Sequence, residues 1–124
     1  MPDISELARV IESRGAILRE SLNKLFQRDE MVCIYGAPAK LTTLLYATGL
    51  QDMPFNCVGE DNPRKVGRKT PGNHIPIVSV EDMLERKPDT ILVAAWNFYD
   101  DIRRKLRAAG FRGGIINPMG MGTE

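Results

Sequence analysis

Apolar and polar positions follow two different periods along this chain. Ile4, Ile11, Leu18 and Leu25 recur every seven residues, flanked by Leu7, Ala8 and Leu22. That spacing predicts a helix with one apolar stripe, running to about Gln27. Asp3-Ile4-Ser5-Glu6 has the form of its start, a cap followed three residues on by an acid. Arg14-Gly15 interrupts the stripe, and a glycine inside a helix costs about 1 kcal/mol against alanine, so a bend or weak point is expected there. Two readings of this helix stand side by side. It packs on a sheet, or it docks on a partner domain or a second copy of the chain.

Beyond Gln27 the pattern changes to short, continuous apolar runs. Met31-Val32-Cys33-Ile34-Tyr35 is long enough for one buried strand and runs into the turn Gly36-Ala37-Pro38. An amphipathic stretch with Leu41, Leu44, Leu45 and Thr48 on one face follows, so the segment reads as strand, tight turn, helix. Pro38 suits the first helical turn and Gly49 the position just past the end. Phe55-Asn56-Cys57-Val58-Gly59 reads as a second strand and Ile75-Pro76-Ile77-Val78 as a third, the proline marking an edge or a strand start. Ser79 caps a short helix with Asp82 at its third position. Thr90-Ile91-Leu92-Val93-Ala94-Ala95 is apolar throughout, as for a strand covered on both faces. Asn97 is the expected cap of a helix with Ile102, Leu106 and Ala109 inward, its outer charges Arg103, Arg104, Lys105 and Arg107 reading as a solvated face. Gly110 closes that helix, and Gly113–Pro118 is the last strand.

Five strands joined by crossovers predict an α/β fold: a Rossmann-like, doubly wound, three-layer sandwich with a parallel sheet of order 3-2-1-4-5 and a long N-terminal helix. At 124 residues the chain is expected to be a single domain, with the leading helix over 1–28, the α/β core over 31–118 and a mobile tail over 119–124. Such a chain buries roughly two thirds of its unfolded surface. In this order the first and fourth strands lie side by side with their helices leaving toward opposite faces. Their carboxyl ends form the crevice where such sheets bind ligands.

Charge and cysteine content narrow the function classes. The net charge of +1 gives no polybasic field for nucleic acid or an anionic membrane. No apolar run approaches the ~18 residues of a membrane span, and the mixed charges of the first twenty residues do not read as a signal peptide. Cys33 and Cys57 each fall inside a strand-like run and read as small core residues rather than a disulfide. A cytoplasmic location follows as the default. No Cys/His cluster has the spacing of a metal site.

Candidate chemistry gathers at the predicted crevice. Lys40 falls in the first turn of a helix, where the macrodipole disfavours a cation by roughly 0.3–1 kcal/mol. A bound anion would reverse that sign; a lysine leaning into solvent is the plain alternative. Asp61, at the end of the second strand, is placed to hydrogen-bond a ribose hydroxyl or simply to belong to a solvated Asp-Asn-Pro turn. The following loop, residues 64–74, carries Arg64, Lys65, Arg68 and Lys69 and ends on His74, the one histidine of the chain. Without a visible partner that histidine is a weak catalytic candidate. Trp96-Asn97-Phe98 closes the crevice at the fourth strand.

These residues also carry a resemblance. Gly36-Ala37-Pro38-Ala39-Lys40, Asp61-Asn62-Pro63, Thr70-Pro71-Gly72-Asn73-His74-Ile75-Pro76-Ile77 and Ala95-Trp96-Asn97-Phe98 fall in one order over nearly the whole chain. The series resembles the C-terminal domain of S-adenosylmethionine-dependent sugar C-methyltransferases, which act on nucleotide-linked deoxysugars. The resemblance implies a larger enzyme in which a zinc-binding segment and a central catalytic domain precede this one. It implies substrate binding by Gly36, Ala37, Lys40, Asp61, Asn62, His74, Trp96 and Asn97, with no catalytic residue and no metal ligand in this chain. Leu41 stands where the family usually has glycine, and Glu60 where it has the first of two aspartates.

The first turn has one glycine rather than the G-x-G-x-x-G of a dinucleotide site, and no glycine-rich methyl-donor loop is present. The expectation is therefore a nucleotide-sugar-binding domain that binds no cofactor by itself, S-adenosylmethionine belonging to the related full-length enzymes. A catalytic methyltransferase domain, or a second copy through the leading helix, is the expected protein partner. The alternative is a stand-alone nucleotide- or CoA-type binding module. A weaker third reading is a structural dimerisation domain built on the leading helix.

Overall fold

The computed structural model describes residues 4–36, 45, 49–70 and 74–118, with side chains from residue 15 onward. The chain forms α1 (Ile4–Gln27), β1 (Val32–Tyr35), β2 (Val58–Glu60), β3 (Ile77–Ser79), α2 (Val80–Glu85), β4 (Thr90–Val93), a 3-10 turn (Trp96–Phe98), α3 (Tyr99–Ala108) and β5 (Gly114–Ile116). The five strands make one sheet of order β3-β2-β1-β4-β5, and every pairing is parallel. This is the α/β architecture and strand order that the alternation of apolar runs predicts. The cap at Asp3, most of the helix expected over 38–48, and the tail lie outside the described residues.

The pleat of β1 divides the interior in two. Val32 and Ile34 pack into one core with Leu18 and Leu22 of α1 and with Leu45, Leu50 and Phe55. Cys33 and Tyr35 point the other way, into a core with Met83 of α2 and Ile102 and Leu106 of α3. All four β1 residues are buried, and each fully buried aliphatic side chain contributes roughly 1.5–3 kcal/mol. β4 is likewise buried at all four positions, as its unbroken apolar run requires.

Local chemistry sets the element ends. Ser79 Oγ accepts from the Asp82 N–H at 3.1 Å, the expected cap of α2. Gly110 adopts φ 97° just past α3, a conformation that a side chain would strain. The second strand begins later than its apolar run, yet the ladder already operates there. Asn56 N donates to Val32 O and Ile34 N to Cys57 O, both at 2.9 Å. α1 continues through Gly15, where an added Cβ would meet only Arg19 Nη1 at 3.5 Å. Its lower half packs on the sheet, and Phe26 meets the ring of Phe55 edge-on with centroids 5.5 Å apart. Cys33 and Cys57 are free and buried, with their sulfurs 3.5 Å apart on adjacent strands. That contact and burial push the Cys33 thiol well above its ordinary range.

Two glycines are fixed by close approach rather than by φ. A Cβ on Gly113 would lie 2.2 Å from Asp89 O and 2.6 Å from Phe111 Cζ. A Cβ on Gly59 would lie 2.7 Å from Met83 Sδ, the far part of a flexible side chain. Gly113→Ala is expected to lower stability by about 2–3 kcal/mol, because backbone must move, and Gly59→Ala by no more than about 1–2 kcal/mol. Urea denaturation midpoints of the two variants check the order.

Candidate functional site

Only the ends of β1 are left for chemistry, and its carboxyl end is held from both sides. Gly36 N donates to Gly59 O at 2.8 Å, and Ala94 N donates to Tyr35 O at 3.0 Å. Gly36 then turns away with φ 91°, a conformation that favours glycine. Between these three strand ends opens a cleft of about 340 Å3. Tyr35 and Gly36 form its floor, Glu60, Asp61 and Lys65 one wall, and Ala95, Phe98, Asp101, Ile102 and Lys105 the other. It occupies the switch point of the sheet, as the strand order predicts.

A three-membered polar network crosses the cleft. Tyr35 OH donates to Asp61 Oδ2 at 2.7 Å. Lys105 Nζ donates to Tyr35 OH at 3.2 Å and to Asp61 Oδ2 at 3.3 Å, and it lies 5.9 Å from the centre of the Tyr35 ring. Asp61 Oδ1 has no bonding partner among the described residues. Burial raises the Tyr35 phenol above its ordinary value, and the bond it makes to the Asp61 carboxylate adds to the rise. Lys105 is held above its ordinary range chiefly by its bond to Tyr35, with Asp61 adding to it.

The sequence-predicted site residues separate into groups. Gly36 and Asp61 line the cleft. Asn62 does not; its Oδ1 accepts from Arg64 N at 3.0 Å and shapes the turn after β2. His74 is exposed, with φ 56°, and its N–H donates to Thr70 O at 3.1 Å. It does not line the cleft either. Trp96 and Asn97 form the 3-10 turn at the rim, while their neighbours Ala95 and Phe98 make the wall. Ala37 and Lys40 lie outside the described residues.

One expectation about local structure is corrected. Phe98, not Asn97, is the residue before α3, and it makes no side-chain cap bond. The 3-10 turn takes up Asn97, and Asp100 and Asp101 supply the negative charge that the helix start favours. Tyr35 and Lys105 are cleft residues that the sequence reading did not assign, whereas Phe98, placed at the crevice with Trp96 and Asn97, forms part of the wall. Phe98 is 59% exposed, large for an aromatic at a cleft edge. Lys105 is exposed, as a residue of the solvated face, yet it stands three residues after the buried Ile102 and its ammonium reaches Tyr35 and Asp61 at the cleft. Its adjacency to that apolar stripe was the available signal.

The two raised groups give the network a pH signature. Tyr35 and Lys105 each hold their proton more tightly folded than unfolded. Above pH of about 10 the unfolded chain therefore binds fewer protons than the native one, and stability falls as pH rises. Their contribution is complete below that range and lost through it. Thermal melts between pH 9 and 11.5 are expected to show a steeper fall for the natural chain than for Tyr35→Phe/Lys105→Met.

The sequence profile of the family described as C-methyltransferase C-terminal domain matches residues 5–118. C-methyltransferase NovU of Streptomyces niveus is 34% identical over 97 residues, which span 78% of this chain and 23% of that protein. Among the described residues no helix is long and apolar enough to cross a membrane. A match that runs from α1 to the end of β5, on the strand order seen here, shows that this chain belongs to the C-methyltransferase C-terminal domain family.

Proposed function

We propose that this domain is the substrate-binding part of a C-methyltransferase system and takes a nucleotide-linked sugar at the crevice above β1, β2 and β4. The observation that carries the reading is the position of the 340 Å3 cleft at the switch point, lined by Asp61, one of whose carboxylate oxygens bonds none of the described residues. That oxygen is suited to accept from a sugar or ribose hydroxyl, and Tyr35 and Lys105 hold the carboxylate in place. Gly36 lets a ligand approach the backbone, and the exposed ring of Phe98 offers a face for a base or a sugar ring.

By their place in the sequence Ala37 and Lys40 continue the turn after Gly36, and Trp96 and Asn97 complete the rim; Asn62 shapes the turn beside the wall and His74 stands outside the cleft. In this reading the domain's contribution to methyl transfer is positional. It holds the substrate so that the acceptor carbon faces a methyl donor, S-adenosylmethionine, on a catalytic domain that closes the other side. That domain, or a second copy, is the partner proposed for α1.

Calorimetric titration tests this. The domain is expected to bind UDP-glucose or dTDP-glucose saturably, and Asp61→Asn to weaken binding about tenfold, equivalent to about 1.4 kcal/mol. S-Adenosylmethionine is expected to give no binding isotherm. Tighter binding of coenzyme A than of either nucleotide-sugar would favour a CoA-type module instead. Tight S-adenosylmethionine binding, or no response to the nucleotide-sugars, would overturn the reading.

A further inference from the structure

We propose that the basic loop after β2, through Arg64, Lys65 and Arg68, holds the phosphate groups of the ligand, while the cleft beside it takes the uncharged, hydroxylated part. The inference rests on the nucleotide-sugar reading and divides that ligand between two surfaces of opposite character.

The cleft wall is a poor place for a diphosphate. It carries three carboxylates, Glu60, Asp61 and Asp101, against two ammonium groups, Lys65 and Lys105. Lys105 already spends its charge on Asp61, 3.3 Å away. A polyanion brought there would meet more negative charge than positive. A hydroxyl group has no such conflict, and a carboxylate is a strong acceptor for it.

The loop is the reverse. From Asn62 to His74 the sequence holds four cations and no acid. Arg64, Arg68 and Lys69 make no ion pair among the described residues. These charges stand on an anchored backbone. Arg64 N and Lys65 N donate to Asn62 Oδ1 and Asn62 O, each at 3.0 Å. Farther along, Gly67 N donates to Ile77 O at 2.9 Å and Ile77 N to Arg68 O at 2.8 Å, so the segment lies along the edge strand β3. Lys69 pairs with Pro76 as an antiparallel bridge.

The two surfaces adjoin. Lys65 belongs to the loop and to the cleft wall, and Arg64 stands three residues after Asp61. Arginine presents a planar fork that matches phosphate oxygens in pairs. The concentration of positive charge is local, because the whole chain carries only +1. A small polyanion such as a diphosphate fits a patch of this extent better than the long backbone of a nucleic acid does.

The test is the double variant Arg64→Gln/Arg68→Gln. Both residues are exposed, so the thermal melt is expected to match that of the natural chain. UDP-glucose affinity is expected to fall by roughly ten- to a hundredfold. Raising NaCl from about 50 to about 500 mM is expected to weaken the natural chain far more than the variant, as screening of exposed charges requires. Equal UDP-glucose affinity in the two proteins would overturn the inference and leave the nucleotide-sugar reading standing. If UDP-glucose fails to bind the natural chain, inorganic pyrophosphate still reads the loop. Pyrophosphate binding that the double variant loses supports a phosphate site there; no binding, or binding that the variant keeps, overturns it.

Discussion

The structure depends on burying β1 completely on both faces while β2 and β4 occupy both of its hydrogen-bonding edges. A strand in that position has no free edge and no solvent-facing row. Alternate residues are committed to two cores, Val32 and Ile34 to one, Cys33 and Tyr35 to the other. What remains is its carboxyl end, where neighbouring connections part toward opposite faces and nothing in the sheet fills the gap. The cleft is thus a consequence of topology before any side chain is considered. Side chains decide only what kind of cleft it is.

Tyr35 joins the two levels. Its ring belongs to the core beneath α3, and its hydroxyl reaches the cleft to bond Asp61. The core fixes the ring and thereby the hydroxyl, so the carboxylate is held by a group with little freedom of its own. Lys105 completes the arrangement by placing a cation where both oxygens can use it. The partial burial that raises the Tyr35 phenol extends to higher pH the range over which it stays protonated as a donor. A carboxylate restrained in this way offers its other oxygen at a defined position, which a mobile surface aspartate does not.

The fold was largely legible in the sequence because each strand announces itself locally. The runs 31–35 and 90–95 are continuous and apolar, and the right-handed crossover rule then leaves few orders to choose from. Ser79 was legible as a cap for the same reason, since its partner lies three residues away. The site was legible only where one residue carries the signal, as with Gly36 and Asp61. The network was not, because Tyr35, Asp61 and Lys105 are 26, 44 and 70 positions apart in their pairings. No local pattern encodes a bond across that separation; it exists only once the sheet has been ordered. Asn97 failed as a cap for a related reason. The chain leaves β4 through a 3-10 turn before the helix begins, and that turn shifts the cap position by one residue.

A nearly neutral chain can build a strong local field only by sorting its charges, and this one has sorted them along the stretch that follows β2. Glu60 and Asp61 end the strand, and then four cations follow within six positions, 64–69. The turn shaped by Asn62 separates the two signs by the width of one bend. On the proposed reading this boundary positions the ligand: a nucleotide-sugar carries its diphosphate between two hydroxylated parts, so with the diphosphate held on the cations one of those parts is directed into the cleft. Orientation is what a substrate-binding domain, as proposed here, adds to a transfer reaction. If one end of the substrate is fixed on a rigid sheet, the distance and direction of its reactive carbon are restricted before any catalytic domain meets it. That places the burden on the rigidity of β1 and its neighbours, and a strand buried at every position and paired on both edges supplies it.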